Sequence, residues 1–168
     1  MRKLNILKAI VDFVWITALL IIPFLLFFVG MVLFGKEPLD IPIQINGTIL
    51  EVVDLKSKLL FMFLVVSASL LIYGLFLFRK LLRLFQLMII FNEEIVALFK
   101  KIGFVITLAA VFGGLSSFFT ELLVKNTISL SLGLNPFILL LALGLFFFVL
   151  SEVFVIAKSL KEENDLTF

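Results

Sequence analysis

The stretch FILLLALGLFFFVLSEVF, residues 137–154, determines the class of this protein, because it contains no charge before Glu152. It belongs to a charge-free window that covers residues 126–151, and the apolar core of that window begins near Pro136. A helix rises ~1.5 Å per residue, so about 20 apolar residues cross the ~30 Å hydrocarbon core of a bilayer. The window therefore predicts a transmembrane helix.

Three further charge-free windows precede it, at residues 13–35, 59–78 and 102–120, the last reaching the required length only with its flanks. The chain is 63% hydrophobic and 15% charged, with a mean hydropathy of +1.30. Soluble domains carry roughly a quarter charged residues. We predict an all-α integral membrane protein in a lipid bilayer, a four-transmembrane-helix bundle that forms one domain over residues 1–168. The helices are expected at about residues 10–34, 59–88, 92–123 and 136–161.

The distribution of Lys and Arg predicts the orientation, since basic residues near helix ends are retained in the cytoplasm. Ten of them precede helix 1, lie between helices 2 and 3, or follow helix 4, and four lie on the other side. We expect a multi-pass protein of the cytoplasmic (inner) membrane with both termini in the cytoplasm. The first apolar run, about 22 residues, exceeds the 7–15 of a cleavable signal peptide, so it should remain as a membrane helix.

The residue types exclude several chemistries. Cysteine and histidine are absent, which excludes thiolate and imidazole metal sites, cysteine nucleophiles and histidine acid–base catalysis. The Asp and Glu residues form no recognisable catalytic arrangement, and a net charge of +2 is too small to indicate direct nucleic acid binding. We therefore expect no enzyme, no metal and no cofactor.

Both outer loops have the pattern of strands. Asn46-Gly47 lies between alternating residues in LDIPIQINGTILEVVD, residues 39–54, and this dipeptide favours a type I′ hairpin turn. The alternation in TISLSLGLN, residues 127–135, is typical of a half-buried strand. We predict a small extracytoplasmic β-hairpin or three-stranded sheet from segments at about 40–53 and 127–134. The expected hairpin pairs are Ile45 with Thr48, Ile43 with Leu50, and Ile41 with Val52.

Within the membrane, helix 3 carries small residues at three- and four-residue spacing, which lets another helix approach closely. Such a stripe can pack against another helix of the same chain or form an interface between two copies of the chain. We favour packing within one chain and keep a homo-oligomer as the alternative. Pro23 should kink helix 1 by removing a backbone hydrogen bond. The residues of the stripe are Ala109, Ala110, Gly113, Gly114 and Ser117.

Polar residues concentrate at the cytoplasmic ends of the predicted helices. Asn92 is a good N-cap, and Glu93 and Glu94 in the following turn complement the helix dipole, which by itself explains both glutamates. Asp12 and Glu152 fall at the interface, where we expect solvated or paired carboxylates, with Lys8 one turn before Asp12.

Two cytoplasmic stretches carry a resemblance to a known family. FNEEIVALFKKIG, residues 91–103, and SEVFVIAKSLKEENDLTF, residues 151–168, resemble a bacterial four-transmembrane membrane protein family of unknown function, domain-of-unknown-function family 2975. The most specific part is the ending EENDLTF. The resemblance implies a four-helix membrane fold and no established activity. Members are often encoded beside a small helix-turn-helix regulator of the Cro/C1 type, which implies a cytoplasmic partner of that kind.

The acidic ending, Glu162, Glu163, Asn164 and Asp165, exceeds what is needed to stop a helix at the interface, since Lys158 and Lys161 already do so. Either it folds back onto the basic residues between helices 2 and 3, or it meets a basic partner; tethering slightly favours the internal contact. Together these residues form a candidate cytoplasmic interaction surface: Arg79, Lys80, Arg83, Phe91, Glu93, Glu94, Lys100, Lys101, Glu152, Glu162, Glu163, Asn164, Asp165 and Leu166.

Two functions remain as hypotheses. The first is a non-enzymatic regulatory or sensing partner of a small cytoplasmic helix-turn-helix transcriptional regulator, which fits cytoplasmic polar signatures and an apolar interior. The alternative is a small-molecule or ion transporter or channel component of the cytoplasmic membrane, which would require polar groups along a central path or broken helices.

Overall fold

The computed structural model describes residues 2–34, 43–45, 48–50, 55–124 and 135–166. Four long helices, of 31 to 33 residues each, dominate it. At ~1.5 Å per residue they are about 46 to 50 Å long, so each exceeds the hydrocarbon thickness. In chain order the elements are α1 (Arg2–Phe34), β1 (Ile43–Ile45), β2 (Thr48–Leu50), α2 (Leu55–Gln86), α3 (Glu93–Val124) and α4 (Pro136–Leu166).

All four helices are long and apolar enough to cross a membrane. Large apolar side chains cover their outer faces; Phe13, Phe24 and Phe27 of α1 are 71–76% exposed. So much apolar surface is not stable in water, whereas lipid solvates it. The protein is therefore a multi-pass membrane protein with four helices.

Two short strands form an antiparallel pair between α1 and α2, in which Ile43 lies opposite Leu50 and Ile45 opposite Thr48. The third expected pair, Ile41 with Val52, and the outer segment 127–134 lie outside the described residues. A sheet that caps the bundle therefore stays a prediction.

Helix α3 is the centre of the bundle and packs along both α2 and α4, while α1 packs mainly on α2. One face of α3 is buried along its length, from Ile95 and Ile102, both fully buried, to Thr120, which is 1% exposed. In α1, by contrast, the buried residues are Val11 and Val32. Helix α1, which lies at the edge of the bundle, is continuous through Pro23.

The small residues of α3 face other helices of the same chain. Ala109, Ala110 and Ser117 are at most 5% exposed. The Ser67 hydroxyl of α2 donates to the Ala109 carbonyl at 2.8 Å, so the α2 and α3 backbones approach closely there. A Cβ on Gly113 would overlap the Phe137 ring of α4, whereas one on Gly114 would lie 3.8 Å from Phe137, an ordinary contact. The stripe thus packs within the bundle, and its two glycines are not equivalent.

A second close approach joins α3 to α4, and sequence reasoning did not identify it. A Cβ on Gly103 would lie 2.9 Å from the Gly144 carbonyl oxygen, and one on Gly144 would lie 2.9 Å from the Thr107 backbone nitrogen. Closer to the start of α3, Phe99 stacks on Phe154 with ring centroids 4.8 Å apart and lies 6.0 Å from Phe147. Small residues allow the close approach of the two helices, and aromatic rings pack between them nearer the start of α3.

Helices α2 and α3 are joined by a tight turn. The Ile89 amide donates to the Leu84 carbonyl and the Met88 amide to the Phe85 carbonyl, which is the Schellman arrangement of a helix C-terminus. Met88 therefore occupies the left-handed position, with φ of 59°, where glycine is usual. This turn ends α2 at Gln86, two residues before the predicted end.

Helices α3 and α4 each begin after an asparagine that caps the helix N-terminus. The Glu94 amide donates to the Asn92 side-chain oxygen at 3.3 Å, as the sequence predicts. The Phe137 amide donates to the Asn135 side-chain oxygen at 2.9 Å, and Pro136 occupies the first helical position. At its other end, α4 continues to Leu166, past the predicted end near residue 161.

Candidate interaction surface at the charged end

One end of the bundle, which we call the charged end, is where α1 and α3 begin and α2 and α4 end. At the charged end, polar contacts join the helices to one another. Glu93 Oε1 lies 2.8 Å from Lys158 Nζ of α4, and Glu94 Oε1 lies 2.7 Å from Lys80 Nζ of α2. Two adjacent carboxylates at the start of α3 therefore connect it to both of its neighbours, in addition to complementing the helix dipole.

The peripheral helix α1 is held at the same end by a separate set of contacts. Arg79 Nε of α2 donates to Asp12 Oδ1, and Lys8 Nζ lies 3.2 Å from Asp12 Oδ2, which is the expected i,i+4 pair. About two turns further out, the Gln86 amide donates to the Asn5 side-chain oxygen at 2.9 Å. Asp12 is thus a paired carboxylate that links α1 to α2.

Four cationic side chains line an open groove beside this link. It has a volume of about 520 Å³ and is bounded by Lys8, Phe76, Arg79, Lys80 and Arg83. Next to it, nearer the α2–α3 turn, lies a more apolar groove of about 340 Å³. The second groove is lined by Leu4, Asn5, Phe85, Gln86, Met88 and Ile90.

The acidic ending continues α4 as helix through Leu166. Lys158, which pairs with Glu93 at the first residue of α3, also lies 3.5 Å from Glu162 one turn later on α4. Since the remaining helix rises ~1.5 Å per residue, α4 extends about 12 Å beyond that pair. The Lys161 ammonium lies over the Phe91 ring, 5.2 Å from its centroid, which places the end of α4 beside the α2–α3 turn.

The structure places the other predicted surface residues as follows. Arg83, Lys100, Lys101, Glu152 and Asp165 have exposed side chains, and Leu166 is 86% exposed. Lys100 and Lys101 stand between the buried Phe99 and Ile102 in the sequence, and their side chains are exposed. Neither of them lines the basic groove between α1 and α2.

Three residues that form ion pairs were missing from the predicted surface: Lys8, Asp12 and Lys158. The sequence signal for the first two is their i,i+4 spacing, and Lys158 has the same spacing to Glu162. Their contacts with Arg79 and Glu93 join residues more than 60 positions apart, and no local pattern reports such a contact.

Among the described residues, no group of three or more Asp or Glu side chains could hold a metal ion. The buried polar side chains of the described helices are all serine or threonine: Ser67, Ser116, Ser117, Thr120 and Ser151. Several of these hydroxyls donate across helix interfaces; for example, Ser116 donates to the Leu60 carbonyl at 2.9 Å and Ser151 to the Val96 carbonyl at 3.2 Å. These bonds satisfy the hydroxyls and hold neighbouring backbones together.

Four membrane-crossing helices joined by ion pairs at one end define a small multi-pass membrane protein. Residues 13–168 match the family described as "Protein of unknown function (DUF2975)", and the chain belongs to that family. This match confirms the resemblance carried by residues 91–103 and 151–168. No curated protein and no solved structure matches the chain.

Proposed function

We propose that this protein is a non-enzymatic regulatory component of the cytoplasmic membrane that binds a small helix-turn-helix regulator at its charged end. The observation that carries the proposal is the end of α4, which extends about 12 Å beyond the Lys158–Glu93 pair with its side chains exposed. A helix that only crosses the bilayer does not need this acidic extension. A basic DNA-binding domain has the charge to meet it.

The neighbouring surface supplies apolar contact area. Leu87 and Met88 of the α2–α3 turn are 60% and 58% exposed, and Phe91 is 45% exposed beneath Lys161. Protein interfaces combine an apolar centre with a polar rim. The turn would provide the centre, and Glu162, Glu163 and Asp165 the acidic rim. Opposite charge on the partner would orient it and speed its association.

A transporter or channel component is the alternative function. A conducting path needs polar or charged groups facing a common space. The hydroxyls of Ser67, Ser116 and Ser151 donate to backbone carbonyls of neighbouring helices, a role in packing. The groove among α2, α3 and α4, of about 310 Å³, is lined by glycine and apolar residues such as Ile106, Leu140 and Phe147. These observations favour the regulatory function.

Co-purification tests the proposal. The full chain is co-expressed with the small helix-turn-helix regulator that the family resemblance implies, both are extracted in mild detergent, and recovery of the regulator is measured. We expect recovery with the wild-type chain and loss with the triple variant Glu162→Gln, Glu163→Gln, Asp165→Asn. Added salt should also weaken the wild-type complex, because screening reduces attraction between exposed charges.

A charge-preserving triple variant, Glu162→Asp, Glu163→Asp, Asp165→Glu, is the matched control and should retain the regulator. Thermal stability of each variant is measured in the same detergent, because a loss of folding would also abolish binding. If the neutral triple variant is stable and still recovers the regulator, the acidic extension is not the binding surface. If the wild-type chain recovers no regulator at any salt concentration, the proposal is wrong.

A further inference from the structure

The basic groove between α1 and α2 has an excess of positive charge. Lys8, Arg79, Lys80 and Arg83 line it. The opposing carboxylates are Asp12, which pairs with Lys8 and Arg79, and Glu94, which pairs with Lys80. Arg83 forms no ion pair with another residue that the structure describes. Four cations therefore face two carboxylates, and the groove has an excess of two positive charges that a bound anion would balance.

The aromatic residues beside the groove indicate its depth in the membrane. Phe76 forms part of its wall, with the Trp15 ring of α1 5.4 Å away and the Tyr73 ring of α2 6.3 Å away, centroid to centroid. Trp15 and Tyr73 are the single tryptophan and the single tyrosine of the chain. Both residue types concentrate at the boundary between headgroups and hydrocarbon. The cations of the groove then lie at the level of the headgroups.

From the groove toward the bilayer centre, the surface changes from cationic to aromatic to aliphatic. Lys8 and Arg79 come first, then Trp15 and Phe76, and then the exposed Leu19, one turn after Trp15 on α1. This order matches that of a phospholipid: phosphate, glycerol ester region and acyl chain. Guanidinium groups such as Arg83 bind phosphate oxygens through paired donors, and basic pockets between membrane helices bind anionic headgroups.

We propose that this groove is a binding site for one anionic glycerophospholipid, with its phosphate between Lys8, Arg79 and Arg83 and an acyl chain along Trp15 and Phe76. The lipid would supply the charge that Asp12 and Glu94 do not balance, and it would fill the space between α1 and α2. An acidic segment of a protein would reach the cations but would not cover the aromatic wall at the hydrocarbon boundary. The proposal does not depend on the regulator.

Trp15 is a built-in reporter, because it is the only tryptophan and lies beside the groove. The full chain is reconstituted in phosphatidylcholine vesicles that contain a small fraction of either chain-brominated phosphatidylglycerol or chain-brominated phosphatidylcholine. Bromine quenches tryptophan fluorescence at short range, so quenching reports which lipid lies against Trp15. We expect stronger quenching by the anionic lipid at equal mole fraction.

The double variant Lys8→Gln, Arg83→Gln removes two groove cations and leaves the Arg79–Asp12 contact. Its relative affinity for the anionic lipid should fall roughly fivefold for each removed cation. The matched control is Lys100→Gln, Lys101→Gln, which removes the same charge from two exposed residues of α3 that do not line the groove. The control should keep the preference for phosphatidylglycerol.

Three results would overturn the proposal. The first is equal quenching by the two lipids in the wild-type chain. The second is an equal loss of preference in both double variants, which would indicate attraction to the general surface charge rather than a site. The third is loss of preference when inorganic phosphate, but not chloride of equal ionic strength, is added, which would indicate a site for free phosphate.

Discussion

Glu93 and Glu94 are adjacent in the chain, yet their carboxylates bind opposite neighbours, Lys158 of α4 and Lys80 of α2. Consecutive residues on a helix point about 100° apart, and α3 lies between the two helices that it contacts. The start of α3 therefore fastens three helices at the charged end. A regulator that docks at the end of α4 would rest on this arrangement.

A double-mutant cycle on Glu94→Gln and Lys80→Gln tests the contact between α2 and α3. The pair is partly exposed, with side chains 49% and 42% accessible, so the expected coupling is about 0.2–1 kcal/mol. Thermal unfolding of the reconstituted protein at low and high salt is the measurement. The coupling should shrink at high salt, and strictly additive single effects at low salt would contradict the contact.

The two glycines of α3 should respond differently to alanine. Gly113→Ala places a methyl group against the Phe137 ring and 3.1 Å from the Ser67 hydroxyl oxygen, so it should destabilise the bundle by about 1–3 kcal/mol. Gly114→Ala has room, and the better helix propensity of alanine should leave stability unchanged or raise it by up to about 1 kcal/mol. Melting temperatures in detergent compare the two. Equal effects would mean that α4 does not pack on α3 as described.

Met88 should be replaceable by glycine with a gain in stability. Its φ of 59° is unfavourable for a residue with a side chain, by roughly 1–2 kcal/mol, and its side chain is 58% exposed. Met88→Gly relieves that strain, whereas Met88→Val should be worse than wild type because a β-branched residue resists positive φ. A lower melting temperature for Met88→Gly would show that the methionine side chain contributes packing that outweighs the strain.

The sequence predicts those features of the fold that depend on local chemistry. Charge-free windows locate all four helices, Asn92 predicts the start of α3, and Lys8 predicts the pair with Asp12. The end of α4 differs because Lys158 and Glu162 stabilise a further turn of helix, whereas the prediction ended it near residue 161. The apolar turn residue Met88 gave no signal that α2 would end in a Schellman motif.

Contacts between residues that are far apart in the sequence could not be predicted. From the sequence, the acidic tag was expected either to fold back onto the basic residues between helices 2 and 3, which was slightly favoured, or to meet a basic partner. In the structure, Glu162 pairs with Lys158 on its own helix. Which helix faces Glu93 depends on the rotation of α3 between α2 and α4. That rotation is set by close approaches between helices, such as the one between Gly103 and Gly144. No recognisable sequence motif links these two glycines. The contacts at the charged end could therefore be identified only from the three-dimensional packing of the helices.

We predict that the charged end faces the cytoplasm, where a regulator could reach the end of α4. Because the chain has no cysteine, single-cysteine variants give an unambiguous test. In intact cells, a membrane-impermeant maleimide should label Lys56→Cys at the opposite end of the bundle. Asp165→Cys should react only after the membrane is permeabilised. Labelling of Asp165→Cys in intact cells, with Lys56→Cys protected, would show that the charged end lies outside the cytoplasm and that no cytoplasmic regulator binds there.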